Sequence, residues 1–247
     1  MTAPPLVEVF RAPARPPAEW LALLSPAETE RIGRRRREED RQRASAARAL
    51  LRIAVAERVG CGAREVEFSL RCVVCGGGHG KPVPIAPETA APVHASVSYA
   101  GSVVLVALAA VPVGLDVERV AGTGFAGFDD VALSAAERSE LADVAAEERD
   151  GVRAELWAAK EAILKINGLG LSVPPATVHV GRRAVPGTVP VDARIAATGV
   201  VSVAAVPVPA GYRACVATEG AGRPTVVLRA VPRPAEDPAA AARTATA

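Results

Sequence analysis

Leu133-Ser134-Ala135-Ala136-Glu137 repeats the pattern of Leu24-Ser25-Pro26-Ala27-Glu28. Each puts a serine hydroxyl at a helix N-cap and a glutamate three residues on, so that two otherwise unpaired backbone N–H groups are satisfied reciprocally. In the first copy Pro26 also takes the first helical position, where its missing N–H costs nothing. Each copy opens a charged helical stretch, and each stretch gives way to strand-like segments. That order, passed through twice, predicts an α+β fold: two similar α+β halves related by pseudo-two-fold duplication.

Working outward from the first copy, helical sequence runs from Ser25 to about Val59, broken near Gly33. An apolar stripe over Arg48–Ile53, Ala54, Val55 and Val59 supports it, and Gly60-Cys61-Gly62 stops it. Residues 1–19 are Pro-rich and are expected to lie extended over the surface. Val66–Leu70 alternates like a strand, Cys72–Pro84 is a Gly-rich loop, and His94–Val111 reads as two strands turning at Ala100-Gly101. In the second half Glu155–Ile166 is a helix ended by Asn167-Gly168. Strands are expected at Thr177–Val180, Val200–Val206, Ala214–Ala217 and Thr225–Leu228. The halves fall at 1–111 and 112–233, with 234–247 an Ala-, Pro- and Thr-rich tail expected to be disordered.

Composition narrows the function classes. Half of the 247 residues are hydrophobic and 3% are aromatic, so the core is built from Ala, Val and Leu. A net charge of +2, from 29 basic and 27 acidic residues, argues against a general nucleic-acid binder. Arg34–Arg37 is followed at once by Glu38, Glu39 and Asp40, which reads as a solvated helix face. No apolar run has the length of a membrane span, and no apolar segment follows Arg11 and Arg15 as in a secretory signal. Four cysteines in so long a chain do not form a disulfide framework, and the expected compartment is the cytoplasm. Cys61, Cys72, Cys75 and His79 offer four zinc ligands at irregular spacing; a Gly-rich loop with reduced thiols is the preferred reading.

Of the 29 basic residues only Lys81, Lys160 and Lys165 are lysine. A lysine kept against that bias marks a place where a compact ammonium serves better than a guanidinium. In Gly114-Leu115-Asp116-Val117-Glu118, read as strand, Asp116 and Glu118 point to one face. Such a pair suits Mg²⁺ shared with a substrate phosphate, although a solvated edge carries acidic pairs as well. In Trp157-Ala158-Ala159-Lys160-Glu161-Ala162-Ile163-Leu164-Lys165, read as helix, Trp157, Lys160, Glu161, Leu164 and Lys165 fall on one broad face. Glu161 and Lys165 also fit an ordinary surface pair.

Together these two segments resemble the Sfp-type 4′-phosphopantetheinyl transferase family, whose pattern is Gly-x-Asp-x-Glu followed by Trp-x-x-Lys-Glu-x-x-x-Lys. Gly80-Lys81-Pro82, Ser96-Val97-Ser98-Tyr99-Ala100-Gly101, Glu39–Arg43 running into Arg48–Arg52, Gly168–Ser172 and Gly211-Tyr212 extend the resemblance over nearly the whole chain. It implies Mg²⁺-dependent transfer of 4′-phosphopantetheine from coenzyme A to a serine of an apo acyl or peptidyl carrier protein, with release of 3′,5′-ADP. Such carriers serve fatty acid, polyketide and nonribosomal peptide synthesis. It implies Asp116, Glu118 and Glu161 as metal ligands, Glu161 as base, and Lys165 at the leaving group. Lys81 and Lys160 would lie along the phosphates. Arg31 and Arg43, with Ser98 and Tyr99, would face the 3′-phosphate, which puts the N-terminal half on that side, the metal in the C-terminal half and the active site at the interface of the two halves. Tyr99 stands where the family often has His, which predicts a modest loss of coenzyme A affinity; His94 is read as structural. A monomer is expected, with no membrane or nucleic-acid partner. The alternatives are a catalytically inactive coenzyme A- or carrier-binding module, or another metal-dependent phosphoester hydrolase.

Overall fold

The computed structural model describes residues 4–89, 91–180, 187–190 and 195–232; the tail at 234–247 lies outside them. The chain is a mixed α+β protein. Its first half runs β1 (Leu6–Pro13), α1 (Ala18–Leu21), α2 (Pro26–Gly33), α3 (Glu38–Val59), β2 (Glu67–Ser69), β3 (Val83–Ala86), β4 (His94–Ala100) and β5 (Val103–Ala109). The second runs β6 (Val113–Arg119), α4 (Phe128–Ala132), α5 (Ala135–Ala142), α6 (Arg149–Lys165), β7 (Gly187–Pro190), β8 (Val200–Ala205), β9 (Tyr212–Glu219) and β10 (Thr225–Arg229).

Both serine–glutamate signals cap helices as their sequence requires. Ser25 accepts from Glu28 N while the Glu28 carboxylate accepts from Ser25 N, and Ser134 and Glu137 do the same. The first helical stretch breaks over Arg34–Arg37, so that this run is an exposed connector and not the helix face expected of it.

Two four-stranded sheets, ordered β10-β1-β5-β4 and β6-β9-β8-β7, lie between two long helices. Helix α3 covers one sheet and α6 the other, and a third apolar cluster fills the space between the sheets. Strand β5 explains the layering. Val104, Val106 and Leu108 pack toward α3, whereas Val103, Leu105 and Ala107 enter the inter-sheet core. A strand buried on both faces needs an unbroken apolar run, and residues 103–109 supply it.

Four expectations need correction. Residues 6–13 are not a surface segment: Val7, Val9, Phe10 and Ala12 are buried and β1 is an inner strand. Residues 177–180 are not a strand; a 3₁₀ turn at Pro175–Thr177 leads into loop that still buries Val178 and Val180. Helix α6 starts at Arg149, before Glu155. Finally β10 pairs parallel with β1, so a strand from beyond residue 112 completes the sheet of the first half.

The sheets also meet edge to edge along β4 and β6. Ser96 Oγ accepts from Leu115 N at 2.9 Å and Ser98 Oγ from Val117 N at 3.3 Å. Serine oxygens thus satisfy backbone donors of an edge strand that would otherwise be buried and unpaired.

Candidate active site

Strand alternation sends Val113, Leu115 and Val117 into the inter-sheet core and turns Gly114, Asp116 and Glu118 toward α6. A Cβ on Gly114 would stand 1.8 Å from the Ala162 carbonyl, so only glycine lets α6 lie this close to β6. The close approach brings Glu161 and Lys165, one turn apart on α6, against Asp116 and Glu118.

Asp116 is 3% exposed. Its Oδ1 accepts from Lys165 Nζ at 2.5 Å and from Ser98 Oγ at 2.7 Å. Its Oδ2 and the Oε1 of Glu161 are buried and accept from no described residue. Unsatisfied buried carboxylate oxygens are costly, and oxygen donors of this kind are chemically suited to a hard divalent cation such as Mg²⁺. Burial, and then the charge of Asp116, pushes Glu118 up to about 7, while Trp157 Nε1 donates to its Oε1 at 3.0 Å. Burial and Asp116 also raise Glu161, with Lys165 opposing. Burial disfavours the Lys165 ammonium, but Asp116, Glu161 and Glu118 outweigh it and hold the group above the usual lysine range.

The other expected residues divide. Lys160 is fully buried on another side of α6, donating to Glu137 Oε2 at 2.5 Å and to the Ala132 and Pro175 carbonyls. It is about 100° round the helix from Glu161, and at 0% exposure it is closed off from solvent. Lys81 gives its ammonium to the Val113 and Ile166 carbonyls at 2.6 and 2.7 Å, which ties the end of α6 to the start of β6, and burial pushes it down to about 8. Ser98 is spent on Asp116 and β6. Arg43 donates to Asp40 Oδ1 at 2.7 Å and to the Gly101 carbonyl. Burial, with Lys81 adding to it, lowers His94.

Arg31 and Tyr99 line a cavity of about 200 Å³ together with Arg35 and Arg48. Arg48 is the residue the sequence reading passed over. It ion-pairs with Glu28 at 3.4 Å, its Nη1 is buried with no partner among the described residues, and burial lowers its pKa. An arginine inside the apolar stripe of α3 was the available signal. A second cavity, of about 560 Å³, is lined by Lys81, Ser96, Lys165 and Gly168–Ser172, and shares Pro82 and Val97 with the first. Arginines therefore line one cavity and Lys165 the other, with Pro82 and Val97 between them.

Comparison with known proteins bears on the same segment. Residues 112–196, which carry β6 and α6, match the 4′-phosphopantetheinyl transferase superfamily. The chain is 25% identical over 159 residues to the 4′-phosphopantetheinyl transferase Sfp of Bacillus subtilis (strain 168), covering 63% of this chain and 65% of that protein. It is 26% identical over 155 residues to the 4′-phosphopantetheinyl transferase ffp of Bacillus subtilis, covering 62% and 64%. A third Bacillus subtilis 4′-phosphopantetheinyl transferase is 27% identical over 158 residues, again covering 62% and 64%. The chain thus spans a little under two thirds of the length of these relatives.

Proposed function

We propose, from the premise that the chain is a relative of the Sfp-type 4′-phosphopantetheinyl transferases, that it moves the 4′-phosphopantetheinyl arm of coenzyme A onto a serine of an apo acyl or peptidyl carrier protein. The observation that carries this reading is the group Asp116, Glu118 and Glu161 against Lys165, with two buried carboxylate oxygens that have no partner among the described residues. Those three acids would hold Mg²⁺. When bound, the ion supplies positive charge against the diphosphate of coenzyme A.

The serine Oγ attacks the β-phosphorus. The bond from that phosphorus to the bridging oxygen of 3′,5′-ADP breaks as the new P–O bond forms. Glu161 takes the serine proton. Lys165, held charged by the acids, stabilises or protonates the leaving 3′,5′-ADP oxygen. Arg31 and Arg48, which line the smaller cavity, suit the 3′-phosphate, where a guanidinium fork matches phosphate oxygens. Tyr99 contributes a hydroxyl there. Arg43 reaches that cavity only by leaving Asp40.

We read the two sheet-plus-helix halves, each opened by a serine–glutamate cap, as a duplication with the reaction between them. One chain then supplies both sides of the site and a monomer suffices. Free thiols at Cys61, Cys72, Cys75 and Cys215 suit a reducing compartment such as the cytoplasm, and no described helix is long and apolar enough to cross a membrane.

Chromatographic detection of 3′,5′-ADP tests the reading. Release that needs coenzyme A, Mg²⁺ and an apo carrier together is expected. Release of phosphate or of 3′,5′-ADP with the carrier omitted would make the protein a hydrolase, and coenzyme A binding without release would make it a binding module.

A further inference from the structure

The loop between β2 and β3 carries a second cluster that the transfer reaction does not use. Donor atoms of Cys72, Cys75 and His79 all lie within 4.8 Å of one another, and Cys75 Sγ stands 3.0 Å from His79 Nε2. The loop is built around them. Val74 N donates to Cys72 Sγ and Gly77 N to Cys75 Sγ, each at 3.4 Å, so both sulfurs receive a backbone N–H two residues on. Such donors stabilise negative charge on sulfur, and the thiolate is the form that binds metal.

Three backbone hydrogen bonds fix the fold of the loop: Cys72 N to the Gly77 carbonyl, Gly76 N to the Cys72 carbonyl, and Gly80 N to the Leu70 carbonyl. Its glycines are required at two points. Gly76 has φ +73°, and a Cβ on Gly80 would stand 2.4 Å from the Arg71 carbonyl oxygen. Cys61 stays apart, packed against the α3 core, with its thiol donating to the Gly62 carbonyl.

We infer that Cys72, Cys75 and His79 form a zinc site with its fourth position open. Two thiolates and an imidazole are soft and borderline donors that select zinc over Mg²⁺, whereas the carboxylates of the active site have the opposite preference. The ion would lie on the wall of the 560 Å³ cavity, since all three residues line it with Lys81 and Lys165. Three residues, Gly80-Lys81-Pro82, link His79 to the β3 strand, so a metal there fixes the segment whose lysine clamps β6 to α6. The inference stands whether or not the protein is a transferase.

Elemental analysis of the purified full chain, after chelation and reloading with Zn²⁺, gives the test. About one zinc per chain is expected. Cobalt in its place should show thiolate-to-metal absorption in the near ultraviolet. Cys75→Ser and His79→Ala should lose both signals, and Glu161→Gln should keep them. If a variant fails to fold, thiol alkylation of the unaltered protein decides: loaded metal should protect Cys75, and chelator should expose it. A chain that takes up no zinc after reduction, or one whose Cys75 is alkylated equally with and without metal, overturns the inference. So does metal that stays bound in Cys75→Ser.

Discussion

Glu161 is half-buried beside Asp116 and Lys165, and its buried Oε1 has no partner among the described residues. Glu161→Gln removes a charge that folding must desolvate, so the metal-free protein should melt no lower than the original, as read by thermal unfolding. The same change removes the proposed base, and kcat should fall roughly 10²–10⁴-fold. Activity and stability moving in opposite directions would identify a functional carboxylate; a lower midpoint would mean that Glu161 serves the fold. Ser98→Ala acts differently. It strips a donor from Asp116 and an acceptor from Val117 N, and should cost about 1–3 kcal/mol in urea unfolding. The acids were legible because Gly-x-Asp-x-Glu needs only strand alternation to face one way. The partnership of Ser98 with Asp116 joins two strands across a sheet boundary, and no local pattern announces it.

Helix α6 separates its duties by face. Trp157, Glu161 and Lys165 look toward β6, while Lys160 neutralises Glu137 in a fully buried pair. Lys160→Met leaves that carboxylate charged and unpaired, and should cost about 3–5 kcal/mol in denaturant unfolding, with normal turnover by the molecules that remain folded. Loss of turnover at unchanged stability would return Lys160 to the phosphate site that the family resemblance implies for it. Gly114→Ala forces a methyl into the Ala162 carbonyl and must push α6 off β6. A loss of about 1–3 kcal/mol or more is expected, with activity falling further because Glu161 and Lys165 move with the helix. The capped helices were readable at this scale since a capping box is a local hydrogen-bond circuit. Strand β1 was not, because the prolines around it mask a short apolar alternation whose partners, β5 and β10, are distant in sequence. Residues 177–180 erred the other way: Val178 and Val180 have strand spacing but are buried as loop against the α6 core.

At the level of the whole molecule the two sheets are tied by an inter-sheet core, by serine oxygens along β4 and β6, and by β10 returning to β1. A chain ended at Pro224 loses β10 and exposes the edge of β1, which should lower the thermal midpoint and promote association, as followed by size-exclusion chromatography. An unchanged midpoint and elution volume would show that strand to be dispensable. This closure lies beyond sequence reasoning, since two α+β halves can equally keep their own strands. The central claim is that the acids between β6 and α6 transfer a phosphopantetheinyl group, and intact-mass measurement on an apo carrier protein addresses it most directly. Incubated with coenzyme A and Mg²⁺, the carrier should gain one phosphopantetheinyl group with the original protein and none with Glu161→Gln or with chelator present. No gain on any of several apo carriers, from a protein that demonstrably binds coenzyme A, would contradict the account.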